Sequence, residues 1–136
     1  MARIQSHRDL LVWQKGMDLV VAVCAVSKQF PVEERYGLIQ QATRAAVAVP
    51  ANIAEGHARG TRRDYAHFVS IARGSLMEVE TYVMIVDRLG LSDQKSISDV
   101  LERITELSRM LTALRMRMVE PQSNLEPLEP RTCPVT

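Results

Sequence analysis

Carboxylates and histidines are the side chains of this 136-residue sequence that could perform acid–base catalysis or bind a metal ion. Glu78 and Glu80 are two residues apart in a helical pattern, so their side chains point in different directions and cannot chelate one ion. Di-iron helix bundles need the pattern Glu-x-x-His on paired helices, and the pattern does not occur here. The three histidines are scattered along the chain, at His7, His57 and His67. We therefore predict no metal site and no cofactor.

The sequence also shows no set of residues that could together perform nucleophilic catalysis. Cys24 lies in an apolar helical run and Cys133 in a proline-rich segment, and neither has a plausible catalytic partner. Ser75 has no histidine within helical reach, and no glycine-rich phosphate-binding loop is present. The sequence therefore predicts a protein that is not an enzyme and takes no small-molecule substrate. Two cysteines without a disulfide framework favour a cytoplasmic location.

A cluster of arginines is the sequence feature that most favours binding. Residues 35–73 carry six arginines against two carboxylates, although the whole chain has a net charge of only +1. Arg59, Arg62 and Arg63 crowd one predicted connection between helices. Positive charges at a helix N-terminus oppose the helix dipole, which favours an anion or a neighbouring subunit as their partner. These three arginines are candidate contacts for nucleic-acid phosphates; the alternative is a solvated helix start at which they pair with Glu55, Asp64 or a neighbouring subunit.

The stretch VPANIAEG, residues 49–56, breaks the helical pattern at Pro50. A proline inside a helix removes one hydrogen-bond donor and clashes with the carbonyl one turn earlier, here that of Ala46. We therefore predict a kink in the second helix at Pro50. The alanines around it predict close approach of a neighbouring helix. Gly74 in the third helix predicts a similar close approach by another chain segment.

Polar side chains beside these positions predict a polar layer between the second and third helices. Buried polar groups need partners, and a satisfied layer fixes the register of packed helices. The four predicted members are Asn52, Glu55, Ser75 and Glu78. The alternative partners of the first two are Arg44 and Arg73.

Apolar residues recur three or four apart in four segments, which predicts four helices. We predict Asp9 as the N-cap of the first helix. The second helix is predicted to open with Glu33 and Glu34 after Pro31 and to stop at Gly56 and Gly60. A capping box from Thr61 to Asp64 is predicted to start the third helix, and Ser92 to cap the fourth. The connections are short, so we predict an all-α, antiparallel up-down-up-down four-helix bundle over residues 1–119. Residues 120–136 are rich in proline and predict a disordered tail. No apolar run approaches the ~18 residues of a membrane helix.

The first helix is apolar on more than one face. Its predicted core stripe is Leu10, Trp13, Met17, Val20, Val21 and Cys24. The run LVVAVCAV nevertheless continues around the helix, and a helix that is apolar all round is buried on both sides. We therefore expect the second face to meet another subunit of a homo-oligomer.

Three segments together resemble a known family: DLLVWQKGMDL, FPVEERYGLIQQATRAAVAVPANIAEG and FVSIARGSLMEVET. They are similar to the four-helix-bundle proteins encoded by intervening sequences of bacterial large-subunit ribosomal RNA genes, once labelled S23 ribosomal proteins. The resemblance spans residues 9–118. It implies a cytosolic ring-like homopentamer whose biochemical role is not firmly established. The family is similar in fold to the accessory protein of diversity-generating retroelements, a basic pentameric barrel that binds nucleic acid and its reverse transcriptase.

The sequence thus favours a non-enzymatic, homo-oligomeric bundle with an RNA-binding or scaffold role. The alternative is a purely structural module that assembles through protein partners.

Overall fold

Four α-helices make up the computed structural model, which describes residues 3–29, 33 and 35–120. They are α1 (Leu11–Ser27), α2 (Gln40–Ala58), α3 (Arg62–Arg88) and α4 (Gln94–Val119). A 3-10 turn, His7–Asp9, precedes α1, and a π-helical turn, Arg35–Ile39, leads into α2. No strand occurs in the described ranges, so the all-α prediction is confirmed. Pro31 and Glu34, at the predicted start of the second helix, and the tail beyond residue 120 lie outside them.

Two of the predicted helix starts are each wrong by one residue. Leu10 is the N-cap residue of α1, whereas Asp9 is the last residue of the 3-10 turn that Ser6 caps, and its carboxylate accepts hydrogen bonds from the Gln5 amide at 2.9 Å and the Ser6 amide at 3.3 Å. Asp93 caps α4, while the Ser92 hydroxyl donates to the Gln29 side chain at 2.6 Å. In each case a second local acceptor or donor competes for the polar side chain that the sequence pattern favours.

The apolar face of α4 is the one that its spacing predicts. Its buried residues are Ile97, Val100, Ile104, Leu107, Leu111 and Leu114. The predicted face of α1 is only partly right: its fully buried residues are Val12, Gly16, Leu19, Val23 and Val26, while Leu10, Trp13 and Val20 of the predicted stripe are partly buried against the core. Val21 is 68% exposed and Met17 43% exposed. Since α1 is apolar on all sides, periodicity alone does not select which face turns inward.

Pro50 packs against the one residue of α1 that leaves room for it. A Cβ atom added at Gly16 would lie 3.3 Å from the Pro50 Cβ and 3.5 Å from its Cδ. The proline ring therefore occupies the space that a side chain on α1 would fill. α2 continues from Gln40 to Ala58 through this contact, and its predicted kink stays a prediction.

Gly56 lies at the crossing of α2 and α3 rather than at a helix end. A Cβ added there would be 2.7 Å from the Phe68 Cβ and 3.4 Å from the Tyr65 Cα. The prediction that Gly56 stops the second helix is therefore wrong, because the helix continues to Ala58. Gly60 does separate α2 from α3, and its φ of 86° is one that other residues rarely adopt.

Contacts between helix ends bring distant segments together. The start of α1 and the end of α4 line one groove, which includes Leu10 and Leu114. The start of α3 meets the same end of α4, where the Arg62 guanidinium donates to the Arg117 carbonyl. The end of α2 joins them through Gly56. Among the described helices, none combines the length and hydropathy needed to cross a bilayer.

Candidate nucleic-acid interface

Folding gathers basic side chains from three segments at one end of the bundle. We define this basic end as residues 3–15, 50–72 and 109–120. It carries nine arginines and lysines against four carboxylates. The basic residues are Arg3, Arg8, Lys15, Arg59, Arg62, Arg63, Arg109, Arg115 and Arg117. The other described residues carry seven basic and nine acidic side chains, so the charge is polarised along the bundle.

Four arginines at the junction of α3 and α4 form the centre of this surface, and we call them the arginine cluster: Arg62, Arg63, Arg115 and Arg117. The Arg62 guanidinium donates to the backbone carbonyl of Arg117, in the last turn of α4, where the helix dipole favours a positive charge. Arg115 donates from Nε to the Ser70 hydroxyl. Within the described residues, no carboxylate forms a salt bridge with any of the four. Their charges are therefore available to an external anion.

Arg59 differs from Arg62 and Arg63, the other two arginines of the predicted binding group. Its guanidinium pairs with the Glu55 carboxylate at 3.0 Å and lies over the Phe68 ring, 4.9 Å from the ring centroid. The alternative prediction of internal pairing therefore holds for Arg59, whereas Arg62 and Arg63 keep their charge free of carboxylates in the described part of the chain.

Sequence reasoning missed Arg115 and Arg117. They lie in the segment 74–136, which is acidic as a whole, so a count along the chain hides them. A signal was present, because the last turns of α4 contain two arginines two residues apart and no carboxylate before Glu120. Only the packing of α4 against α3 brings that pair beside Arg62 and Arg63.

A groove of about 460 Å³ runs between the start of α3 and the end of α4. We call it the basic groove; its lining includes Arg63, Ala66, His67, Ser70, Arg115 and Met118. Arg63 and His67 come from the α3 wall and Arg115 from the α4 wall, and Met118 adds apolar surface. The arrangement can bind an anion that also presents an apolar or aromatic group, as nucleotides do. The Ser70 hydroxyl accepts a hydrogen bond from Arg115, and no hydrogen bond joins it to His67 in the described residues.

Tyr65 lies beneath the arginine cluster. Its hydroxyl is buried and has no hydrogen-bond partner in the described residues. Burial raises the pKa of the Tyr65 phenol above its ordinary value, and the nearby positive charge of Arg117 partly opposes the rise. The phenol is therefore neutral at physiological pH and does not act as a base.

The predicted polar layer does not come together within one chain. The Asn52 amide donates to the Ala48 carbonyl of its own helix at 2.8 Å. Glu55 and Glu78 are exposed, and Ser75 is buried with 8% exposure. No hydrogen bond joins these four side chains in the described structure. The buried residues of α2 and α3 are instead apolar, apart from Gly56 and Ser75.

The histidines pack on aromatic rings. His57 stands edge-on to Tyr65 with 5.7 Å between ring centroids, and His67 stands edge-on to Phe68 at 5.3 Å. In the ranges that the structure describes, no three histidine, cysteine or carboxylate side chains gather as metal ligands.

Comparison with known proteins decides the family. The family model described as 23S rRNA-intervening sequence protein matches residues 8–113, which include α1, α2, α3 and most of α4. This chain belongs to the intervening sequence protein family. The resemblance of the three sequence segments is thereby confirmed.

One solved structure similar to this intervening sequence protein is a protein of unknown function from the S23 ribosomal protein family of Bacteroides thetaiotaomicron VPI-5482. The two superpose with a TM-score of 0.70 at 20% identity, over 77% of this chain and 98% of the other. At this identity the likeness shows the fold alone. A search of curated proteins finds no match.

Proposed function

We propose that this intervening sequence protein is a non-enzymatic, homo-oligomeric module that binds RNA through its basic end. The observation that carries the proposal is the arginine cluster. Its four arginines come from the start of α3 and the end of α4 and, in the described residues, have no carboxylate partner. Phosphate contacts from arginine and lysine supply most of the sequence-independent affinity of nucleic-acid-binding proteins. An arginine also offers a planar fork of donors that fits a phosphate group.

The decisive experiment removes two exposed arginines that hold no structural hydrogen bond through their side chains. We expect Arg63→Gln/Arg117→Gln to weaken binding of a fluorescent structured RNA at about 50 mM salt. The slope of log K against log salt should become shallower by about 0.7–0.9 for each lost phosphate contact. The matched control is Arg44→Gln/Arg88→Gln, which removes the same charge from exposed positions on the other half of the bundle.

Equal losses from the two double variants would mean that only net charge attracts the RNA, and an unchanged slope in both would overturn the proposal. Circular dichroism and sedimentation of each variant establish that the fold and the assembly persist.

The oligomer is supported by an exposed apolar stripe on α3. Its members are Ile71, Met77, Met84 and Ile85, which are 37–46% exposed. Gly74 lies within the stripe, and a Cβ atom added to it would touch nothing within 4 Å. A glycine inside a helix costs about 1 kcal/mol relative to alanine. No contact within the single chain explains why a glycine occupies position 74 of the helix. We propose that a second copy packs closely there, in a pentameric ring.

A bulky residue at this glycine tests the interface. We expect Gly74→Leu to abolish assembly in sedimentation velocity while the helical content of the chain is retained, because the site is open in one chain. The control is Thr105→Leu, which adds a leucine at an exposed position of α4 between charged neighbours and should assemble normally. An unchanged oligomer in Gly74→Leu would place the interface elsewhere.

A purely structural assembly module is the rival function. The exposed apolar stripe favours it as much as it favours an RNA-binding ring. The two functions differ in the RNA titration, since a module without an RNA partner shows no binding even at low salt.

A further inference from the structure

The basic groove begins at the end of the bundle and stops a short way in. Arg63 and Val119 line it in the first turn of α3 and the last turn of α4. Ser70 and Arg115 line it further in, where the Arg115 Nε atom donates to the Ser70 hydroxyl. One turn beyond Arg115, Leu111 is fully buried in the core. From Arg63 to Ser70 the groove therefore runs seven residues along α3, roughly 10 Å at ~1.5 Å per residue.

Arg73 supplies an unpartnered donor at the inner end of the groove. It follows Ser70 by three residues, so the two side chains share one side of α3. The Arg73 Nε atom is buried and has no hydrogen-bond partner in the described residues, where no carboxylate forms a salt bridge with this side chain either. Since an unpaired buried donor destabilises a fold, this position favours an acceptor that a ligand supplies.

The positive surface ends at this point. The next exposed side chain on the outer face of α3 is that of Ile71, which begins the apolar stripe. At the opposite, outer rim, Glu120 directly follows Val119, and its carboxylate disfavours a phosphate there. A phosphate is therefore held best deep in the groove, and a strand attached to it can leave only toward the end of the bundle, where Arg62 and Arg117 lie.

A terminal phosphate fits such a blind end better than an internal phosphodiester does. A phosphate monoester carries about 1.5–2 negative charges at neutral pH and three free acceptor oxygens. A phosphodiester within a strand carries a single charge, and its chain must continue on both sides. Two arginines that reach one position, Arg73 and Arg115, match the charge of the monoester and the fork of donors that phosphate oxygens accept.

The remaining lining suits one unpaired nucleotide. The groove volume of about 460 Å³ lies within the ~300–1,000 Å³ of small-ligand sites, which accommodates a nucleotide but not a duplex. The exposed ring of His67 and the thioether of Met118 provide surfaces for a base. Proteins that recognise single-stranded RNA stack unpaired bases on aromatic side chains, histidine among them.

We infer that the basic groove holds the phosphorylated end of a single-stranded RNA. The terminal phosphate lies between Arg73 and Arg115, the terminal base lies against His67 and Met118, and the strand leaves past Arg63. This inference deepens the proposed function and rests on it, because it names the form of RNA that the basic end selects.

The experiment compares three forms of one short single-stranded RNA: hydroxyl groups at both ends, a phosphate at the 5′ end, and a phosphate at the 3′ end. Binding to the full chain is measured by fluorescence anisotropy at about 50 mM salt. We expect one phosphorylated form to bind about tenfold more tightly than the hydroxyl form, as charge-assisted hydrogen bonds to a buried phosphate predict. A strand that is one nucleotide longer, with hydroxyl ends, controls for the added charge and should gain far less.

Matched variants locate the effect, with the ratio of the two affinities as the readout. Arg73→Met keeps an apolar side chain of similar length, and both it and Arg63→Gln should remove the preference for the phosphorylated end. Arg117→Gln removes the same charge from an exposed arginine outside the groove lining. It should weaken both RNA forms equally and leave the ratio unchanged. Circular dichroism establishes that each variant keeps the helical content of the wild type.

Equal affinities of all three RNA forms for the wild type would overturn the inference, as would a preference that survives in Arg73→Met and Arg63→Gln. A preference of the same size for a phosphorylated blunt duplex would overturn the assignment to single strands. Absence of binding by every RNA would instead overturn the proposed function. Calorimetric titration with nucleoside 5′- and 3′-monophosphates then tests the groove by itself, and no saturable binding of either would overturn the inference as well.

Discussion

Substitution of Gly56 by alanine tests the close crossing of α2 and α3. The new Cβ would lie 2.7 Å from the Phe68 Cβ, well inside the ~3.5–4 Å separation of carbon atoms in contact. The Phe68 Cβ is bonded directly to the backbone, so no side-chain rotation relieves the clash and the helices must separate. Overpacking of this kind costs about 1–3 kcal/mol, against which alanine gains about 1 kcal/mol of helix propensity. Since the two effects oppose each other, we expect Gly56→Ala to lower the free energy of unfolding by up to about 2 kcal/mol.

Urea unfolding followed by far-UV circular dichroism measures this difference, at two protein concentrations so that any contribution from assembly is separated. Gly74→Ala is the matched control at a protein concentration low enough to dissociate the assembly, because in the single chain its new Cβ meets nothing within 4 Å and the propensity gain of about 1 kcal/mol stands alone. Gly56→Ala should thus be about 1–3 kcal/mol less stable than Gly74→Ala. A Gly56→Ala protein that gains as much stability as Gly74→Ala would refute the close crossing.

Three further predictions concern helix caps and titrating groups. Thr61→Ala removes the hydroxyl that accepts from the Asp64 amide at 3.1 Å, and should lower the unfolding free energy in urea by about 1 kcal/mol, with Thr61→Ser restoring most of it. The backbone hydrogen bond from Ser96 lowers the pKa of Asp93, so its charged form stabilises the fold above the ordinary pKa of 3.8, and this stability is lost as the pH falls through the lowered value. Asp93→Asn should therefore show a smaller loss of stability in acid titrations. Burial raises the pKa of Tyr65, so its contribution to stability is lost as the pH rises above 10.0, and Tyr65→Phe should show a smaller alkaline loss without lower stability at neutral pH.

The fold was largely predictable where polar residues mark the outside of a helix. α4 carries charged residues opposite its apolar stripe, so the periodicity of Ile97, Val100 and Ile104 identifies the buried face. α1 has no such contrast, and its inward face is selected by the contact between Gly16 and Pro50. That contact joins residues 34 positions apart in the sequence, and no local pattern contains it.

The candidate site was predictable only in part, for the same reason. Arg62 and Arg63 are visible as a local cluster, but Arg59 is partly occupied by Glu55, and Arg117 joins the site only through packing. Polar residues at regular helical spacing suggested a buried layer, whereas Glu55 and Glu78 are exposed and the Asn52 amide donates to a carbonyl of its own helix.

By itself, the sequence determined four helices, their approximate ends and the family, because helical periodicity, turn residues and motif spacing are local properties. The tertiary structure decided which face of α1 is buried, why Gly56 lies inside a helix and which arginines share one surface. These outcomes depend on steric fit and on charges brought together from segments far apart in the chain, and such contacts exist only once the helices have packed.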